Sequence, residues 1–305
     1  MAVCIDLPTN RQDKVKLADW MEINALLDKD KSSSLEDIVS ILKEESVLEE
    51  TLEALRTDVA SELVARMKKI GEAYPFIFSG MTLDIKKGGY KNKWAYLFCL
   101  LISYVGVDFG ERKLKIWDSK KIAEMFEIIS GLAAENFLCG KSLSAELLYF
   151  GHPRNSWKKS ERPFKVALPI LRSKIDEGTI ENLPTARHQK DAGLDIVTWR
   201  NFPDKKAAKL LFFAQCAAGK DFKAKRHEIS KFFNFLSVRG SYLKGLFIPH
   251  ELDEDLWREF SHDPVVGILF DRSRIAFFAT SWSGDGFKII LPKTMKALRK
   301  YKVAI

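Results

Sequence analysis

Two short apolar runs carry polar residues where a core would ordinarily reject them. Gly193-Leu194-Asp195-Ile196-Val197-Thr198-Trp199 opens with a carboxylate, and Leu210-Leu211-Phe212-Phe213-Ala214-Gln215-Cys216 carries a carboxamide near its end. Burying a polar group without a partner costs about 2–7 kcal/mol, so both positions call for one. A divalent cation holding a phosphate would fill that role, because hard cations take oxygen ligands. Such an ion polarises the phosphate and lowers the pKa of an attacking water. A lysine beside that water would stabilise the hydroxide and the charge developing at phosphorus.

The elements that must position these residues follow from their patterning. The two apolar runs flank a turn containing Pro203-Asp204, which predicts an antiparallel hairpin. Upstream, Asp118 or Ser119 can cap a helix in which Ile122, Met125, Phe126, Ile129, Leu132 and Ala133 repeat at three-and-four spacing. Glu127 lies on that helix. A polar, basic loop is expected over 151–160 and a short helix over 164–175. A further helix is expected over 222–237, a short strand over 245–248, and a last hairpin from 265–270 to 274–279. On the 222–237 helix, Ile229, Phe232, Phe233 and Leu236 would form the buried stripe. Lys225 stands four residues before Ile229 and seven before Phe232, on the inward face, whereas Lys223 falls on the polar face.

Residues 1–115 read as mostly helical. Amphipathic spacing marks 17–27, and Ser34 with Asp37 three residues on resembles a capping box ahead of a helix over 35–43. A third helix is expected over 52–74, ending at Pro75, and 80–92 reads as irregular. The longest apolar run, 94–107, is too short to span a bilayer and is expected to be a buried helix. The fold class is therefore α+β, with a helical N-terminal domain (1–115) before an α+β domain (116–305).

Composition narrows the function classes. With 305 residues and 46% hydrophobic content, the chain can bury a substantial core. Its formal charge of +8 suits a polyanionic partner. Four scattered cysteines (Cys4, Cys99, Cys139, Cys216) exclude a zinc ribbon and argue against a disulfide framework. The N-terminus lacks a secretory signal pattern, and a cytoplasmic protein without membrane attachment is expected. Other motifs fail. Glu135 stands where a phosphate-binding loop ending in Gly140-Lys141-Ser142 needs its first glycine, and His227-Glu228 has no second histidine at helical spacing. Asp253-Glu254-Asp255 reads as a solvated loop, and His152, His188, His250 and His262 show no ligand spacing.

An acid on a helix, an acid on the following strand and a polar residue on the next resembles the restriction-endonuclease-like PD-(D/E)XK nuclease core, over about residues 118–250. Further stretches are similar to nuclease-like proteins of bacterial phage-defence loci: Tyr149-Phe150-Gly151-His152-Pro153-Arg154, Lys190-Asp191-Ala192-Gly193-Leu194-Asp195, Ala214-Gln215-Cys216-Ala217 and Gly267-Ile268-Leu269-Phe270-Asp271-Arg272. The resemblance implies a mixed central sheet flanked by helices and a metal-dependent endonuclease acting on DNA as an antiviral effector. It implies Mg2+ or Mn2+ held by Asp195, Gln215, the Cys216 carbonyl and Glu127. Two departures stand out: no Pro-Asp pair marks the first strand acid, and Ala217 replaces the lysine that would follow Gln215 by two. Lys225 is the expected replacement, since the superfamily allows a lysine relocated to the helix. Arg154, Trp157, Lys158, Lys159, Lys220 and Lys223 are the expected DNA contacts. A regulatory protein partner or a homo-oligomer is expected to restrain the nuclease. The other expected function is an inactive nuclease fold serving as a DNA-binding or interaction subunit.

Overall fold

The computed structural model describes residues 5–88, 93–107, 118–140, 145–183, 190–204 and 206–301. Cys4, Lys141, Ser142, His188 and the boundary expected near residue 115 lie outside them. The chain divides into two compact units. One contains residues 1–122, 249–253 and 272–305, and the other contains 123–248 and 254–271. The C-terminal stretch from 272, expected to belong with the second domain, therefore belongs to the first unit.

In the first unit, α1 (Lys14–Leu27) starts where the Asp13 carboxylate accepts the Val15 and Lys16 N–H groups. After β1 (Ser32–Ser34), α2 (Leu35–Glu44) opens on the capping box read from Ser34 and Asp37. The long helix α3 (Glu49–Ile70) ends earlier than expected, because Gly71 at φ 51 breaks it and a 3-10 turn leads to Pro75. β2 (Phe76–Ser79) and β3 (Thr82–Ile85) follow, and the three strands form an antiparallel sheet in the order β1-β3-β2. This sheet overlaps the stretch expected to be irregular. The apolar run folds as α4 (Trp94–Val105), buried from Ala95 to Val105. Among the described residues no helix is long and apolar enough to cross a membrane.

The second unit holds most of α5 (Ser119–Cys139), followed by β4 (Glu146–Tyr149), α6 (Phe164–Ile175), β5 (Thr179–Ile180), β6 (Ile196–Arg200) and β7 (Leu210–Cys216). Then come α7 (Phe222–Lys225), β8 (Leu236–Ser237), β9 (Tyr242–Phe247), α8 (Glu254–Ser261) and β10 (Ile268–Phe270). Its main sheet is mixed, in the order β10-β9-β7-β6-β4. β4, β6 and β7 run antiparallel, with Ile196 opposite Ala214 and Tyr149 opposite Ile196, while β7, β9 and β10 run parallel. Alternation divides the faces. Val197, Trp199, Leu211 and Phe213 join Phe150, Phe164, Ile229 and Phe232 in one core. On the other face, Phe137 of α5 meets Phe212 and Phe270 at 6.1 and 5.3 Å.

Three expectations need correction. The helix over 222–237 is a single turn, α7, followed by a 3-10 segment (Glu228–Asn234) and β8. Pairing of Leu236 with Ile180 draws the end of this segment into a sheet. The last hairpin does not form, because its second arm, expected over 274–279, folds as a helix, and β10 instead pairs parallel to β9. That helix is α9 (Arg272–Phe278), and the last element among the described residues is α10 (Phe287–Tyr301). Asp253-Glu254-Asp255 is not simply loop, since its last two acids open α8, where the helix dipole favours negative charge.

Candidate metal and phosphate site

Asp195 enters the site through strand pairing. Its N–H donates to the Ala214 carbonyl at 3.0 Å, and its own carbonyl accepts from Phe150 (2.6 Å) and Gly151 (3.0 Å). The carboxylate then turns back on the neighbouring strand, where Oδ2 accepts the Cys216 N–H at 2.7 Å. The other oxygen faces Glu127. A Cβ built on Gly151 would stand 2.8 Å from Glu127 Oε1 and 2.9 Å from Asp195 Oδ1. Only a glycine leaves room for an acid from α5 and an acid from the β6 edge to meet at this point.

Like charges this close resist joint ionisation. Burial, then the charges of Asp191 and Glu124, push the Glu127 carboxyl up to about 7, opposed by Arg154. Asp195 is driven well above the usual carboxylate range by burial and by the charges of Glu127 and Asp191, against the pull of the Cys216 N–H and Lys225. Burial and the two acids likewise push the Cys216 thiol up. A carboxyl whose folded pKa exceeds its unfolded one holds an extra proton in the folded state, and that advantage fades as pH rises. Metal-free protein is therefore expected to lose thermal stability between about pH 4.5 and about pH 7 from the Glu127 contribution. Melting curves in chelator across pH 5–8 check this, and a rise over that window would contradict it.

Gln215 is the most deeply set member, with 3% of its surface exposed. Its amide nitrogen donates to Glu228 Oε2 at 3.3 Å, while Oε1 is buried with no hydrogen-bond partner. A buried acceptor without a partner calls for one, and a cation would supply it. Among the described residues no three His, Cys, Asp or Glu side chains are grouped to bind a metal ion. Glu127 and Asp195 border one point at Gly151, and Gln215, with its uncommitted carboxamide oxygen, directly follows the Ala214 whose carbonyl Asp195 bonds; oxygen donors of this kind suit a hard cation that keeps several waters.

The remaining expected residues divide sharply. Lys225 is half-exposed at the end of α7, 3.6 Å from Asp221 Oδ2, and its charge reaches Asp195. Lys158, Lys159, Lys220 and Lys223 are exposed. Arg154 is not a surface cation. It is 3% exposed, lies 4.3 Å over the Phe150 ring, and donates to the Arg162 and Lys190 carbonyls at 3.0 and 2.8 Å. Trp157 is also turned inward, its Nε1 donating to the Tyr149 carbonyl at 2.8 Å and its ring packed on Phe150. Both brace the loop that carries Gly151.

Three residues were not singled out from the sequence. Asp191 accepts the Gly193 N–H at 3.0 Å and the His152 N–H at 3.2 Å, clasping the loop to the strand entry. An Asp bonding two residues on, followed by glycine, is a readable turn signal. Glu228 and Gly151 carried no such signal, because their roles depend on contacts distant in sequence. Gly151→Ala is expected to fold normally, since the added carbon meets only the far ends of two flexible side chains and the backbone is not left-handed. It should weaken divalent-cation binding at least tenfold by wedging the acids apart, as supporting-residue changes do by about 10–100-fold. Unchanged Mn2+ affinity in a folded variant would contradict this geometry. No family model, curated protein or solved structure matches the chain.

Proposed function

We propose that the second unit is a metal-dependent nuclease of the restriction-endonuclease-like type, cutting DNA with Mg2+ or Mn2+. The observation that supports it best is the meeting of Glu127 and Asp195 beside Gly151, with the Gln215 carbonyl oxygen left open. Support also comes from the order of elements, a helix bearing one acid, the next acid directly before strand β6, and β7 bearing the polar residue within a mixed sheet. Asp195 and Gln215 would be direct ligands, with the Cys216 carbonyl beside them. Glu127 would bind directly or through water. Such a cation supplies phosphate polarisation and an activated water. Lys225 would stabilise the attacking oxygen and the charge developing on the phosphate. The exposed lysines 158, 159, 220 and 223 would contact the phosphate backbone. The resemblance to phage-defence proteins makes an antiviral effector, restrained by a partner or by self-assembly, the biological setting.

A second reading, a nuclease fold that binds DNA or protein without cutting, is favoured by one observation. The lysine absent from β7 leaves a fully buried Ala217, and Lys225 stands beside Asp221 instead. Cleavage of supercoiled plasmid, with RNA alongside, separates the two. Nicking that needs Mg2+ or Mn2+ and drops about 100-fold in Lys225→Ala, the usual loss on removing one charge-stabilising donor, supports the nuclease. Lys220→Ala should lose far less than Lys225→Ala, as one of several phosphate-backbone contacts. Failure to cut either nucleic acid with every metal tried leaves the binding reading.

A further inference from the structure

Gln215 is tethered at one end only. Its amide nitrogen donates to Glu228 Oε2 at 3.3 Å, and the other Glu228 oxygen lies 3.6 Å from Lys231 Nζ. A carboxylate accepts and cannot donate, so the contact turns the amide nitrogen toward Glu228 and the carbonyl oxygen away from it. That oxygen is buried and has no hydrogen-bond partner. The backbone at Glu228 is itself pinned. Gly193, at φ +84, is so tightly placed that a Cβ on it would stand 2.5 Å from the Glu228 carbonyl carbon and 2.6 Å from its oxygen. The turn delivering Asp195 and the segment carrying Glu228 are thus packed backbone to backbone.

We infer that Glu228 is a positioning residue for the metal site, orienting the Gln215 carboxamide so that its oxygen, not its nitrogen, is offered to the cation. This rests on the metal-site reading proposed above. It gives the neutral residue at 215 a physical reason. A glutamate there would face the Glu228 carboxylate at hydrogen-bond distance, whereas a carboxamide bridges it. The pair should then be exchangeable as a unit: Gln215→Glu alone disrupts the site, and Gln215→Glu with Glu228→Gln rebuilds the same bond with donor and acceptor reversed.

The test is Mn2+ titration of the full chain by calorimetry and by electron paramagnetic resonance, with cooperative unfolding confirmed for each variant. Glu228→Leu should weaken Mn2+ binding by about 10–100-fold, the usual effect of removing a supporting partner. Glu228→Gln can still accept the bond and should stay within about threefold of the unsubstituted protein. The exchanged pair should bind more tightly than Gln215→Glu alone. Should Glu228→Leu not fold, the exchanged pair decides, and one no better than Gln215→Glu overturns the inference. Asp195-dependent Mn2+ binding that Glu228→Leu leaves unchanged, or that Glu228→Gln damages as much as Glu228→Leu, overturns the inference alone. Absence of Mn2+ binding, or binding indifferent to Asp195→Asn, overturns the metal site and the inference together.

Discussion

Asp195→Asn should abolish divalent-metal binding and cut DNA cleavage by at least about 100-fold, while making the metal-free protein more stable. The two effects share one cause. Asp195 Oδ1 and Glu127 Oε1 both border the point where a Cβ on Gly151 would stand, an arrangement of like charges that repels until a cation enters. Asparagine keeps the shape. Its oxygen can accept the Cys216 N–H that Oδ2 now takes at 2.7 Å. The like-charge repulsion disappears, and with it the charge that would draw the cation. A gain of about 1 kcal/mol would raise the melting temperature by about 2–4 °C in a domain of this size. Higher stability with lost binding is the signature of residues kept for function rather than folding. If metal-free Asp195→Asn melts well below the unsubstituted protein, Asp195 is a structural residue and this account of it is wrong.

The largest loss of stability should come from the other unit. Arg66 and Arg272 are essentially unexposed there, facing Asp19 and Glu22. Arg66 donates to Asp19 at 2.7 Å, Glu22 at 2.9 Å, Glu62 at 2.8 Å and the Val15 carbonyl at 3.0 Å. Arg272 grips both Asp19 oxygens at 2.7 Å, along with the Ser103 hydroxyl and the Pro249 carbonyl. Tyr74 and Tyr96 complete the shell around Glu22. Burial alone would raise the Asp19 pKa, but Arg272 and Arg66 outweigh it and hold the carboxyl below its usual value. For Glu22 burial wins over Arg66, and its pKa is raised. Removing one partner from such a cluster strands a buried charge and costs about 3–5 kcal/mol. Arg66→Ala should therefore lose most of its cooperative unfolding transition at 37 °C in chemical denaturation. Pairing Arg66→Met with Glu22→Gln should recover part of the loss, because one charge of each sign leaves together. A loss below about 1 kcal/mol in Arg66→Ala, within the range of a surface pair, would contradict the cluster's role.

The hairpin that carries Asp195 and Gln215 was legible because both strands are apolar runs around a Pro-Asp turn, and α6 and the Ser34–Asp37 cap were legible for equally local reasons. The short strands were not. Ser32–Ser34 and Thr179–Ile180 have no alternation to read, and they become strands only through partners far along the chain. Lys225 was placed by a helical period that continues for one turn before the 3-10 segment begins, yet its charge still reaches Asp195. Arg154 and Trp157 looked like surface contacts because a basic loop usually is one. That they point inward depends on Phe150 and on carbonyls that no local pattern reveals. Arg272 and Asp19 are 253 residues apart, and no spacing rule could join them.

Anomalous diffraction from crystals soaked in Mn2+ tests the metal site most directly. A peak is expected about 2.0–2.3 Å from Asp195 Oδ1 and Gln215 Oε1, with Glu127 bound directly or through one water. A saturating soak that yields no peak there, or a peak touching neither Asp195 nor Gln215, would contradict it.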